Sequence, residues 1–554
     1  MPKLFRHARF AAALLCVAST ICPRPALAGS PPGDVVGKLT AAYQGYFSCK
    51  EPTAPDGQGW IHWSYDVNSP PSLTNYSCSS WPDMRPYTTG TYATSCPNFG
   101  NGQPAKLFTS YNSSIVSTHL NWMKQNGMAT VAIGRFDPVG ISGPTTQAQL
   151  IQAAAPAAGM KYYISYDLSG WNNFSTELPA DWTNVIVNQL HMPTNANYAK
   201  QNGKPVVEVW GLGNVNAHNG TPASELALVN WLKSQGCYVI GGVSHAWRWG
   251  TDMQPFVSVF QACNMIQPWQ IGVVGDIASV DSNKSAQADD LAWCNSNGVD
   301  YECCILPGDI SVHQRQHGNL MWEEFANLRS IGVQSGFITM FDEFGEGNQI
   351  MPTAEDASMS PTNPSGITIP AANANHFWTL DEDGTHCSSD YYMRLTADGG
   401  KMLQGLIPLT YTRPTPPVRK LIPGTVVSFQ ATVNSKYVCA DNAGANPLIA
   451  NRSSVGAWEQ FRVVDMGNNN IALLSLADNL YVSADNAGAS ALIANRSSAG
   501  QWETFYECDA GNGNVALRAL ADNQFVCADN AGANPLIANR TTYGLWETFT
   551  VRTY

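Results

Sequence analysis

Three carboxylates fall within five residues in the string Thr339-Met340-Phe341-Asp342-Glu343-Phe344-Gly345-Glu346-Gly347-Asn348-Gln349. The string closes a short apolar run and is set with glycines and aromatics, so a strand ending here would project its acids into one mouth. Carboxyl pairs in unlike surroundings suit acid/base cleavage of a glycosidic bond. A carboxyl desolvated by Phe341 or Phe344 keeps its proton to higher pH, whereas a solvated one stays ionised. The same spacing also fits a plain solvated acidic turn after a strand.

The elements that must position these acids are read from the alternation upstream. Strands rich in β-branched and aromatic residues are predicted at 43–47, 130–136, 161–167, 205–211, 238–243, 265–271, 301–306 and 336–341. Helical patterns lie between them at 114–125, 146–157, 223–235 and 321–331, the last with Trp322, Phe325 and Leu328 on one face. A long insertion precedes a final helix at 391–406. Eight strands alternating with helices predict an α/β chain folded as a (β/α)8 TIM barrel, whose chemistry sits at the C-terminal ends of the strands. A doubly wound open sheet is the competing fold. No Gly-x-Gly-x-x-Gly follows the first strand, which weakens the dinucleotide-binding version of that fold.

Other residues at strand ends and in loops are candidate sugar contacts. His62 lies between Trp60 and Trp63, one hydrogen-bonding group flanked by two stacking faces; a packed loop histidine is the alternative. Asp167 closes the third strand, as a hydroxyl ligand or as a strand cap. Arg135 is expected to orient hydroxyls, to depress the pKa of a nearby glutamate or simply to pair with Asp137. Trp210, Trp247 and Trp269 are placed like subsite walls, and Asp342 is grouped with the substrate contacts. Asp309 and His313 form a weaker pair. A Ser-His-Asp hydrolase is disfavoured, because no Gly-x-Ser-x-Gly elbow sits on a strand-to-helix turn.

The acidic string resembles the strand-eight motif of glycoside hydrolase families 71 and 99. In family 99, Asn-Glu-aromatic-x-Glu-Gly supplies both catalytic glutamates, matching Glu343 and Glu346. Further matches run in order: Gly59-Trp60-Ile61-His62-Trp63, Trp81-Pro82-Asp83, Leu107-Phe108-Thr109-Ser110-Tyr111, Gly134-Arg135-Phe136, Tyr166-Asp167-Leu168-Ser169-Gly170, Val209-Trp210-Gly211, and Gly241-Gly242-Val243 with Trp247-Arg248. Asp342 stands where the pattern commonly has Asn and Phe344 where it has Trp, which bears on the substrate more than on the reaction class. The resemblance implies an endo-acting hydrolase of α-linked mannan or α-glucan. Glu343 would be the base assisting the sugar's own 2-hydroxyl, and Glu346 the group that protonates the leaving oxygen and then activates water. Family 71 implies direct acid and base roles with inversion instead.

The C-terminal residues repeat. Cys439-Ala-Asp-Asn-Ala-Gly-Ala, Leu-Ile-Ala-Asn-Arg and Trp458-Glu-Gln-Phe461 recur from Ser483 to Phe505 and from Cys527 to Phe549. One such unit cannot bury its apolar face alone, and three form a closed module. The segment resembles the fascin-like β-trefoils appended to bacterial secreted hydrolases. Trp458, Trp502 and Trp546 recur in register with Asp441, Asp485, Asp529 and Arg452, Arg496, Arg540. They read either as three sugar sites or, preferred here, as indoles packing the core with Asp and Arg bracing turns.

Composition bounds the partners. Only 13% of residues are charged and the net charge is -12, which argues against nucleic acid as the partner. The expected ligand is a neutral, hydroxyl-rich polysaccharide or glycan, with no cofactor, no metal, no nucleic acid and no membrane partner, and the chain is expected to act as a monomer. Residues 1–28 read as a signal peptide: Lys3, Arg6 and Arg9, an apolar run, then Ala26-Leu27-Ala28. Secretion follows. Residues 29–410 are assigned to the catalytic barrel, 411–420 to a Pro-rich linker and 421–554 to the carbohydrate-binding repeats. Cys49, Cys78 and Cys96 cluster where a bridge would help, while Cys439 and Cys527 read as small buried residues.

Overall fold

A computed structural model describes residues 29–49, 59–361, 377–467, 470–510 and 514–554. The signal-peptide assignment lies outside the described residues. Eight parallel strands form the large domain: β1 (Leu39–Tyr43), β2 (Thr130–Arg135), β3 (Lys161–Asp167), β4 (Lys204–Leu212), β5 (Tyr238–Val243), β6 (Met265–Pro268), β7 in two pieces (Asp300–Tyr301 and Cys303–Ile305) and β8 (Gly336–Ile338). The pieces of β7 pair with opposite neighbours. The first joins β6 through Asp300↔Met265, and the second joins β8 through Cys304↔Phe337. With β8 on β1 and β1 on β2, the ring closes as a TIM barrel.

Each strand returns through a helix: α1 (Ser113–Gln125), α2 (Gly143–Ala158), α3 (Phe174–Asp181), α4 (Pro222–Ser234), α5 (Val257–Ala262), α6 (Ile277–Asn297), α7 (Asn319–Ile331) and α8 (Tyr391–Leu403). In α1 the Asn112 side chain accepts the Ser114 and Ile115 N–H groups, and Ile115, Val116, His119, Leu120 and Met123 share the buried stripe. Strands covered on both faces read as near-continuous apolar runs, and β5 is buried at every position.

The first strand ends earlier than predicted. The chain leaves the sheet at Tyr43, because the Gln44 and Gly45 N–H groups turn to the Asp342 carboxylate (2.8 Å each). Gly45 takes a φ of 58°, and a Cβ there would run into Gln147.

Residues 421–551 have their own apolar core, built from Val427, Phe461, Val482, Phe505, Val526 and Phe549 among others. Six antiparallel strands close a second ring in the order 426–431, 461–467, 470–475, 505–509, 514–519 and 548–553. Three two-stranded hairpins stand on it, at 436–452, 481–496 and 525–540. They lock together where Leu448 N–H donates to Leu492 and Leu492 N–H to Leu536 (2.8 Å each).

Cys439, Ser483 and Cys527 are all buried at one repeat position. Cys78 and Cys96 are free thiols, and the Cys49 thiol donates to the Phe108 carbonyl at 3.3 Å. No described helix is long and apolar enough to cross a membrane.

Candidate active site

The C-terminal ends of the barrel strands surround a cavity of about 570 Å³. Glu343 and Glu346 line one wall, after β8. Tyr46 and His62 stand beside them in the loop after β1, and Asp167, Glu208, Trp210 and Trp269 come from β3, β4 and the end of β6.

The acid-bearing loop is held from several sides. Met340 and Phe341 accept the N–H groups of Ile350 and Met351 (3.0 and 2.9 Å), and Asn348 N–H donates to the Glu343 carbonyl. Ser79 N–H donates to the Phe344 carbonyl at 2.7 Å. The buried Arg315 guanidinium donates to the carbonyls of Gly347 and Gln349 (2.8 Å each). Gly347 has a φ of 70°, and a Cβ there would lie 2.8 Å from Asp309 Oδ1, so a side chain would be strained at this position.

The two glutamates differ in surroundings. Glu343 is 6% exposed, and burial pushes its carboxyl up to about 7. Its Oε2 accepts the Tyr46 phenol and its Oε1 the Gly345 N–H (2.9 Å), both of which favour the ionised form. Glu346 is exposed at the mouth; its carboxyl is raised by partial burial and by the Asp309 charge. Tyr46 stacks on His62 with ring centroids 3.4 Å apart and on Phe136 at 5.9 Å. Burial lowers His62 to about 4, so at neutral pH it meets a ligand as neutral imidazole.

His62, Asp167, Trp210, Glu343 and Glu346 therefore meet at one cavity. Asp167 caps its strand, its Oδ1 accepting the Ser169 N–H at 2.7 Å; the residue also lines the cavity, and burial raises its carboxyl. Trp210 meets Trp269 edge-on at 5.4 Å.

Four expected contacts are corrected. Trp60 and Trp63 are buried at 1% and 0% exposure; Trp63 packs on Phe47 and Phe108 and donates its indole N–H to the Phe108 carbonyl. They make the floor under the first loop, not a stacking platform. Arg135 points into the helical layer, where it pairs with Asp181 (2.8 and 2.5 Å), not Asp137, and Tyr166 donates to the same carboxylate. Asp342 is fully buried and spends both oxygens on the Gln44 and Gly45 N–H groups.

Trp247 is likewise core, against Phe260 and Trp293. Phe344 is core as well, against Trp63 and Phe108. Asp309 caps the 310–312 turn, and His313 pairs with Glu382.

Glu208, Tyr46 and Arg315 were not anticipated. Glu208 is 1% exposed, with burial raising it to about 7; its Oε2 takes a long hydrogen bond from Tyr163 (3.3 Å) and its Oε1 has no partner. Glu302 lies within its field, raised by burial to about 8, with Gln267 donating to it at 3.0 Å. Among the described residues no cluster of His, Cys, Asp and Glu is arranged to hold a metal ion.

In the tail, Trp458, Trp502 and Trp546 are exposed at 38%, 36% and 37%, which overturns the expectation that they pack the core. The bracing ion pairs are present: Arg452–Asp441 at 2.6 Å, Arg496–Asp485 at 2.5 Å and Arg540–Asp529 at 3.1 Å. The apolar layer is filled instead by Phe461, Phe505 and Phe549.

No protein-family model matches the chain, and no curated protein does. Among solved structures, the chain is similar to the GH99 endo-α-mannosidase from Bacteroides thetaiotaomicron, at 14% identity over 67% of this chain and 98% of that one, with a TM-score of 0.46. A glycoside hydrolase-like protein matches at 12% identity over 67% of this chain and 96% of its own, TM-score 0.40. The Macrolepiota procera ricin B-like lectin in complex with lactose matches at 15% identity over 24% of this chain and 98% of its own, TM-score 0.21.

Proposed function

We propose that this chain is a secreted glycoside hydrolase that cleaves an α-linked polysaccharide or glycan of the mannan or α-glucan type, acting within the polymer. Glu343 and Glu346 carry the chemistry, and the repeated tail is a β-trefoil that holds the polymer. One observation carries the reading: two glutamates three positions apart face one aromatic-walled cavity in unlike environments. Glu343, with two donors aimed at its oxygens, is prepared as an acceptor. It serves as the base that draws a proton from the sugar's 2-hydroxyl. Glu346 has open access to water, which suits a group that must protonate the leaving oxygen and then deliver a water molecule. Tyr46, His62, Trp210 and Trp269 supply the stacking and hydroxyl-binding surface.

For the tail, the six-stranded ring with three hairpins supports the trefoil reading. The three equally exposed indoles, each beside an Asp–Arg pair, support three sugar-stacking faces whose joint engagement raises local enzyme concentration on a polymer. The test is release of reducing ends from a panel of α- and β-linked polysaccharides by the wild type and by Glu343→Gln and Glu346→Gln. Cleavage of an α-linked polymer, lost in both variants with binding retained, is the expected result. Unchanged hydrolysis in either variant refutes the assignment, and binding without hydrolysis in the wild type makes the chain a carbohydrate-binding protein.

A further inference from the structure

The three tail faces are not equivalent, because the barrel domain packs beside one of them. A cavity of about 430 Å³ lies along the contact between the end of α8 and the second and third repeats. Its polar lining is Lys401 and Gln404 from the barrel side with Asn470, Gln501 and Asn523 from the tail. Four of these five are carboxamides, and no carboxylate lines the cavity. The Lys401 charge is already matched: its ammonium lies 3.5 Å from Asp398, 3.3 Å from the Asn470 side-chain Oδ1 and 4.7 Å from the centre of the Tyr506 ring. What is left over is hydroxyl-binding capacity without net charge.

Gln501 immediately precedes the exposed Trp502, and its amide is held at the rim by donating to the Leu520 carbonyl at 3.2 Å. At the equivalent position the first repeat has Ala457 and the third Leu545. A carboxamide thus stands before the indole in the repeat whose Trp-Glu turn borders this cavity.

We propose that the contact between the two domains is a saccharide-binding site, in which a neutral glycan chain stacked on Trp502 runs past Gln501 into the cavity and reaches Gln404 and Lys401 of the barrel domain. The proposal rests on the sugar-binding reading of the tail, and it makes the second repeat the strongest of the three faces, since each amide adds a hydrogen bond worth roughly fivefold in affinity.

The test is affinity electrophoresis of the full chain through gels containing yeast α-mannan, solubilised α-1,3-glucan, laminarin or pustulan, with released reducing ends measured in parallel. The variants are Trp458→Ala, Trp502→Ala, Trp546→Ala and the double change Gln404→Ala with Gln501→Leu, Leu being the residue that the third repeat already carries there. In the gel that retards the wild type, the double variant is expected to bind roughly tenfold more weakly or worse with an unchanged melting temperature. Trp502→Ala should cost more than either other indole change. Wild-type retardation of the double variant, or equal cost at all three indoles, overturns the proposal. Absence of retardation in every gel overturns the tail reading and this site together, while the reducing-end assay reports separately on Glu343 and Glu346.

Discussion

Tyr46 donates its phenolic O–H to Glu343, and the same phenol ring lies flat against His62. The proton on Tyr46 is fixed there because burial and the facing carboxylates raise its pKa well above the usual phenol range. Removing that donor takes away a hydrogen bond to a charged group, which is worth about 2 kcal/mol. Tyr46→Phe should therefore raise the Glu343 pKa from about 7 by about one further unit. With Glu343 as the proposed base, the acid limb of kcat/KM should move to higher pH. Activity at pH 6 should fall about tenfold and recover in part by pH 8.5. A pH–rate profile with an unmoved acid limb would refute the coupling.

Arg135 makes the opposite prediction to a substrate contact. Its buried pair with Asp181 leaves an uncompensated carboxylate if the arginine is removed, at a cost of about 3–5 kcal/mol. Arg135→Met should lower the melting temperature by several degrees while KM at a permissive temperature stays within twofold. A large rise in KM with an unchanged melting temperature would return Arg135 to the substrate site.

The exposed indoles predict function without stability. Each of Trp458→Ala, Trp502→Ala and Trp546→Ala should leave thermal unfolding within about 1 kcal/mol of the wild type, as for surface positions. Binding to an insoluble polymer should weaken with each change and nearly vanish in the triple variant. Sedimentation with the polymer, measured beside a thermal melt, separates the two effects.

The barrel interior predicts a pH-dependent stability. Glu302 and Glu208 are raised by burial to about 8 and about 7, against about 4.3 for an unfolded glutamate. The folded state binds the extra protons, so this contribution is complete below pH 4.3 and is lost as pH rises through 7 to 8. The melting temperature should fall between pH 5 and pH 8.5, and Glu302→Gln should flatten that slope. A slope unchanged in the variant would show that Glu302 already ionises at its ordinary pKa.

Much of the barrel was legible because its strands are apolar on both faces and end in Gly, Pro or Asp. What escaped had physical reasons. The α6 helix runs for 21 residues, yet two of its four buried positions are Gln287 and Asp290, so no apolar stripe marks it. Trp60 and Trp63 have the bulk of a sugar platform, and only packing shows which indole is covered. Arg135 and Glu208 could have been read correctly from the two-residue alternation of a strand. Ala132, Gly134 and Phe136 line the cavity, so Arg135 between them must face the helices. Trp210 faces inward, and so must Glu208. The phenol of Tyr46 carried no signal, because nothing local ties residue 46 to residue 343.

The break in β7 has a consequence for how the molecule fails. β2 and β3 share six paired positions, whereas the two pieces of β7 share two with β6 and three with β8. β8, the strand that leads into Glu343 and Glu346, is itself joined to β1 at only three. The hoop is thus fastened by its thinnest clasp beside the chemistry. On warming, amide deuteration should run ahead at 300–305 and 336–338, and catalysis should fade while the helical circular dichroism is still intact: the molecule is expected to lose its craft before it loses its shape.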